Sequence, residues 1–140
     1  MLENELLELY KKTNNFRDTL GMELGDVSEG KATYELTIQK KHLATPIAAH
    51  GGVIAALVDA AMGVTALSVV IQSNRVVSTV ELKVSYLRPV IEGDHLKCTG
   101  EVLNQGNRLI YVECSVTNQR GELLARANGT FNAYPAEKAF

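Results

Sequence analysis

Two features of this sequence have the residue types and setting for chemistry at a carbonyl. The first is His50-Gly51-Gly52, directly ahead of a long apolar, Ala-rich run. If that run is a helix, the two glycines fall on its first turn, where backbone N–H groups lack intrahelical acceptors and the macrodipole is positive. Glycine leaves such N–H groups open to a ligand, so they suit an oxyanion forming on an attacked carbonyl; a plain turn is the alternative use. The second feature is Asp59, an acid in the middle of the same run. A carboxylate on a largely buried helix is costly unless it is paired, hydrogen-bonded or used, which makes it a candidate general base or nucleophile beside the reading of a structural acid.

Nine residues separate His50 from Asp59, or about 13.5 Å along a helix axis with roughly half a turn of rotation. They cannot meet one substrate within one helix. Two antiparallel helices related by a two-fold axis would bring the N-terminus of one to the middle of the other, so the spacing itself argues for a dimer with two shared sites.

The elements that must position these groups are legible in the pattern. Residues 48–70 are free of proline, with Ile54, Leu57, Val58, Ala61 and Met62 at helical spacing, and predict the one long helix. Small residues on it (Gly52, Ala55, Ala56, Ala60, Gly63) would let strands or a second backbone approach closely. Residues 31–39 alternate strictly, with Ala32, Tyr34, Leu36 and Ile38 on one side; residues 22–28 read as a hairpin partner with an irregularity near Gly25. Four further strands are predicted at 79–87, 95–103, 109–117 and 123–131, separated by Gly- and Asn-containing turns. Leu2 to Asn14 read as one short amphipathic helix in a leader over residues 1–20. The expectation is a single α+β domain over residues 1–140, its curved antiparallel sheet of about six strands wrapped around one central helix.

With these residues in order, the sequence resembles the hot-dog-fold acyl-CoA thioesterases of the phenylacetate-pathway type. The resemblance rests on His42-Leu43, His50-Gly51-Gly52, Asp59 and Val84-Ser85-Tyr86-Leu87-Arg88-Pro89, and runs over residues 20–134. It implies hydrolysis of an aryl- or fatty-acyl-CoA, subunits joined edge to edge as dimers, and dimers paired as homotetramers. It places the oxyanion donor on Gly51 or Gly52, the catalytic acid on Asp59, and a water-orienting hydroxyl on Thr79, which as a residue type is equally an ordinary strand threonine. His50 takes a positional role at the turn. Ala44 stands where that family often has asparagine. The CoA phosphates require a local cationic rim, for which Arg88, Asn107 and Arg108 are the candidates. The CoA thioester is substrate, and no cofactor is expected.

Bulk properties narrow the rest. A net charge of −2 offers no basic field for nucleic acid. The apolar run is interrupted by Asp59, so no membrane span is read, and a start without secretory character gives a cytoplasmic expectation. Cys98 and Cys114 read as small buried hydrophobes, and His42 and His95 as ordinary polar positions near strand ends, with no metal assigned. Two rivals remain: a hot-dog dehydratase or hydratase, and a non-catalytic acyl-CoA binding module.

Overall fold

The computed structural model describes residues 3–140, so the helix start read at Leu2 lies outside the described residues. The leader holds two helices where one was expected, α1 (Glu5–Thr13) and α2 (Asn15–Leu20). Asn14 explains the difference. Its side chain accepts the Arg17 N–H at 3.1 Å, so the polar break that stops α1 also caps a new helix. Asn4 caps α1 in the same way, accepting the Leu6 N–H at 2.8 Å.

Strands β1 (Glu23–Ser28) and β2 (Lys31–Thr37) form the expected hairpin, with a register shift between Leu24 and Val27 that is the irregularity near Gly25. The alternating row Ala32, Tyr34, Leu36 and Ile38 is buried. A 3₁₀ turn over Lys40–His42 follows. His42 is not an ordinary polar position: it is buried, its Nδ1 accepts the Gln39 N–H at 2.9 Å, and its Nε2 bonds the Leu20 carbonyl at 2.8 Å. Its own carbonyl accepts the His50 N–H at 2.8 Å. Together with the bridges Leu43 to Ala49 and Ala48 to Ile91, this fixes where the next helix begins.

That helix, α3 (Gly51–Ser68), is followed by β3 (Arg75–Tyr86), β4 (His95–Gln105), β5 (Leu109–Thr117) and β6 (Leu123–Pro135). The sheet is antiparallel in the order β1-β2-β4-β5-β6-β3, which is the hot-dog fold, and α3 packs against all six strands. Gly100 permits the closest approach, because a Cβ there would collide with Thr65 Oγ1 and lie 3.3 Å from the Ala61 carbonyl. β3 starts at Arg75 rather than Thr79. A bulge between Thr79 and Glu81 shifts its register on β6, and a bulge interrupts the period-two alternation by which a strand is read. Among the described residues α3 is the one helix long and apolar enough to cross a membrane, and it is the core of the fold, with 61% of it buried. Cys98 and Cys114 are free thiols buried on β4 and β5; hydrogen bonding between them, then burial, pushes the Cys98 thiol up from its ordinary value.

Candidate active site

The N-terminus of α3 is locked by two side chains. His50 is its N-cap, with Nδ1 accepting the Gly52 N–H at 2.8 Å. Since Nδ1 accepts, the ring is in its neutral Nε2–H form. From the far end of β3, Tyr86 donates its hydroxyl to the Gly51 carbonyl at 2.8 Å. Both polar groups of the Gly51–Gly52 peptide are therefore held, the carbonyl by Tyr86 and the N–H by His50. The Gly51 N–H belongs to the preceding peptide and has no acceptor among the described hydrogen bonds; it stands exposed at the positive end of α3. The sequence left Gly51 and Gly52 equivalent, and the hydrogen bonds separate them. Tyr86 was visible in the sequence only as part of a motif, because its contact with Gly51 joins elements 35 residues apart.

Asp59 is half-buried rather than buried, contrary to the expectation. The sheet covers the α3 positions Leu57, Val58, Ala61 and Met62. The stripe Ala56, Asp59, Ala60 and Gly63 is left half-buried, lining a cleft of about 340 Å³ closed by β3, β6 and the leader. Thr79, at the β3 bulge, donates its hydroxyl to Asp59 Oδ1 at 2.7 Å. That is a well-formed O–H···O bond, and it leaves Oδ2 available to a water or a carbonyl carbon.

Gly51 and Asp59 open into different clefts. Gly51 lines a shallow groove at the start of α3 with Tyr86 and Arg88, while Asp59 lies about 12 Å further along the helix in the cleft with Thr79. The three candidates for the cationic rim are likewise divided. The Arg88 N–H bonds the carbonyl of Leu124, whereas the Arg108 carbonyl accepts from Ala133, roughly 30 Å away along β6 at 3.3 Å per residue. Arg88 is exposed, 4.0 Å from Glu122; Arg108 bonds the Asn132 side chain at 3.3 Å; and the Asn107 carbonyl accepts from Arg75 at 2.7 Å. In one chain these residues form two separate basic spots at opposite ends, because the turn carrying Asn107 and Arg108 lies where β6 ends and Arg88 where it begins. No group of three or more His, Cys, Asp or Glu side chains that could hold a metal ion occurs among the described residues. His95 is exposed on β4, bonding Thr37 and Glu35.

Residues 48–125 match the thioesterase superfamily model. Acyl-coenzyme A thioesterase 13 of Homo sapiens is 28% identical, with 90% of each chain covered. The PaaI protein of the E. coli phenylacetic acid degradation operon has the same fold, with a TM-score of 0.85, 22% identity, and 91% of this chain and 90% of that one covered. A Streptococcus mutans protein whose crystal structure contains acetyl CoA superposes with a TM-score of 0.75, 24% identity, and 81% and 89% coverage.

Proposed function

The chain belongs to the thioesterase superfamily, as a thioester hydrolase with the PaaI-type hot-dog fold, and from that premise we propose that it hydrolyses an acyl-CoA thioester at a site shared by two subunits. The observation that carries the reading is the Asp59–Thr79 pair, a carboxylate held by a 2.7 Å hydrogen bond in the wall of an otherwise largely apolar cleft. The acyl-CoA assignment is supported by the human relative's name and by the acetyl CoA in the S. mutans structure.

The thioester carbonyl oxygen sits at the Gly51 N–H, at the end of α3 where charge developing on oxygen meets a positive dipole. Asp59 of the partner subunit faces the carbonyl carbon. As a base it takes a proton from water while the water oxygen bonds to carbon and the C=O electron pair moves onto oxygen; the tetrahedral species then collapses, the C–S bond breaks, and the thiolate leaves with the proton Asp59 has held. As a nucleophile the same carboxylate displaces the thiolate to give an anhydride that water opens. Thr79 fixes the carboxylate in either case, and His50 acts by capping the Gly52 N–H rather than by moving a proton.

Because about 12 Å of α3 lies between Gly51 and Asp59, sharing follows from the proposal that both act on one carbonyl. β3 offers the surface for it, since it is an edge strand of 12 residues whose Val80 is 59% exposed, and a long uncovered edge is a ready template for pairing. Antiparallel pairing of two β3 edges about their middle runs the two α3 helices antiparallel and sets the basic spot at Arg88 toward the Asn107–Arg108 turn of the second subunit, where together they meet the CoA phosphates. Dimers pair further as homotetramers. Residues 1–140 act as one hot-dog domain, in the cytoplasm, with no cofactor.

Thiol release from phenylacetyl-CoA and from straight-chain acyl-CoAs, butyryl to palmitoyl, tests the reading. The wild type releases CoA from at least one class, and Asp59→Asn loses about a hundredfold or more in kcat with an unchanged melting temperature. Equal activity in Asp59→Asn, or no release by the wild type, overturns it.

A further inference from the structure

The chain has eight aromatic residues, five Tyr and three Phe, and five of them line the cleft that holds Asp59: Tyr10, Phe16, Phe131, Tyr134 and Phe140. None of the five lies in residues 48–125, the part matched by the superfamily. The carboxylate, its hydroxyl partner and the small-residue floor thus come from the matched segment, and the aromatic wall comes from outside it: Tyr10 and Phe16 from the leader, Phe131 and Tyr134 from β6, and Phe140 from the end of the chain.

The leader is fastened so that part of this wall is fixed and part is free. α1 buries Leu7 in the core. The Tyr10 hydroxyl meets the hydroxyl of fully buried Tyr34 at 3.3 Å and accepts from Asn14 Nδ2 at 2.9 Å. Phe16 and Phe140 are anchored differently: they line the same cleft yet remain 62% and 53% exposed. Their exposure puts their rings at its mouth, and Ala60 and Gly63 supply a floor without long side chains of its own, beside the Phe131 ring, along which an alkyl or aryl group can lie.

We propose that this cleft is the acyl-selecting pocket, in which the apolar part of the acyl group lies on the Ala60–Gly63 floor against the Tyr10 ring, and that Phe16 and Phe140 at the mouth set how long a chain is accepted. The inference rests on the acyl-CoA hydrolase reading. The occupant follows from the two ends of the cleft: a carboxylate–hydroxyl pair at one side, where a reacting carbonyl belongs, and aromatic surface beyond it, where only an apolar group loses no hydrogen bonds. At about 340 Å³ it lies at the small end of ligand pockets, which run from roughly 300 to 1,000 Å³. An acyl group of medium length or a single aryl ring suits it.

The test is the ratio of kcat/KM for dodecanoyl-CoA to that for butyryl-CoA in the wild type, in Gly63→Val and in Phe16→Ala/Phe140→Ala, with binding of a non-hydrolysable dodecyl-CoA thioether measured beside it. Each methylene excluded from an apolar site is worth roughly fourfold. A Cβ on Gly63 would sit 3.6 Å from Phe131, an ordinary contact, and the γ-methyls of Gly63→Val raise the floor further, with melting temperature as the check that the fold is kept. The ratio is expected to fall at least about tenfold in Gly63→Val and to rise at least about threefold in the double alanine variant. Ratios unchanged in both, with thiol release retained, overturn the pocket assignment and leave the hydrolase reading intact. A wild type that releases no thiol overturns the hydrolase reading; in that event thioether binding weakened in Gly63→Val supports the pocket, and binding equal to wild type overturns it as well. Equal ratios with a changed sedimentation state identify the cleft as a subunit contact, which also overturns the assignment.

Discussion

Substituting proline for Gly51 is the sharpest perturbation of the proposed site, because it replaces the N–H by a ring carbon while its Cβ stays at an ordinary contact of 3.4 Å from the Tyr86 ring. Gly51 is the first helical residue of α3, a position where proline is favoured since that N–H has no helical acceptor. The preceding residue must avoid the α region, and His50 already lies at φ −64° and ψ 134°. The fold loses no hydrogen bond, because the Gly51 N–H makes none within the chain. If it is the oxyanion donor, its removal costs roughly a hundred- to a thousandfold in kcat. Gly51→Pro and Asp59→Asn are then each nearly inactive alone. When the two are co-expressed under different tags and the mixed dimer is purified, one of its two sites joins an intact Gly51 to an intact Asp59 and the other has neither, so thiol release recovers to about half the wild-type rate per dimer. The assay is steady-state thiol release, with melting temperature as a control on folding. A mixed dimer no more active than its parents refutes the shared site, and an active Gly51→Pro homodimer refutes the assignment of the donor.

Two further outcomes follow from hydrogen bonds elsewhere. Thr79→Val removes the donor from Asp59 Oδ1 at nearly constant shape; a bond to a charged group is worth about 1.5–3 kcal/mol, and the lower figure applies at this exposed position. kcat should fall about tenfold with KM little changed and Thr79→Ser should restore it, whereas a valine variant within twofold of wild type would show the hydroxyl to be an ordinary strand side chain. Burial, and then the adjacent Tyr10, push the Tyr34 phenol well above its ordinary value. The stability this neutral phenol provides is present below the unfolded tyrosine pKa of about 10 and is lost as pH rises beyond it toward the folded value. Melting temperature should thus drop more steeply above pH of about 10 in wild type than in Tyr34→Phe, and parallel alkaline limbs would contradict the argument.

The sequence by itself determined the parts of this protein that repeat with a short period or sit close together in the chain. The row Ala32, Tyr34, Leu36, Ile38 announced a strand with one buried face, the apolar spacing from Ile54 to Met62 announced the core helix, and one helix with six strands left little choice but a sheet wrapped around it. The helix-terminal glycines, the acid in mid-helix, and the distance that forbids their meeting were equally local facts. Tertiary structure decided what depends on residues far apart. It brought Tyr86 to the Gly51 carbonyl across 35 residues, beside the local bond by which His50 takes the Gly52 N–H, brought Thr79 to Asp59 across 20 residues, and set Arg88 apart from Arg108. It also left Asp59 half-exposed, since a helical period gives the face a residue occupies but not which face the sheet fails to cover. The aromatic cleft was the least legible part: Tyr10, Phe16, Phe131 and Phe140 share no spacing along the chain, and only the docking of the leader and the return of β6 bring them to one wall.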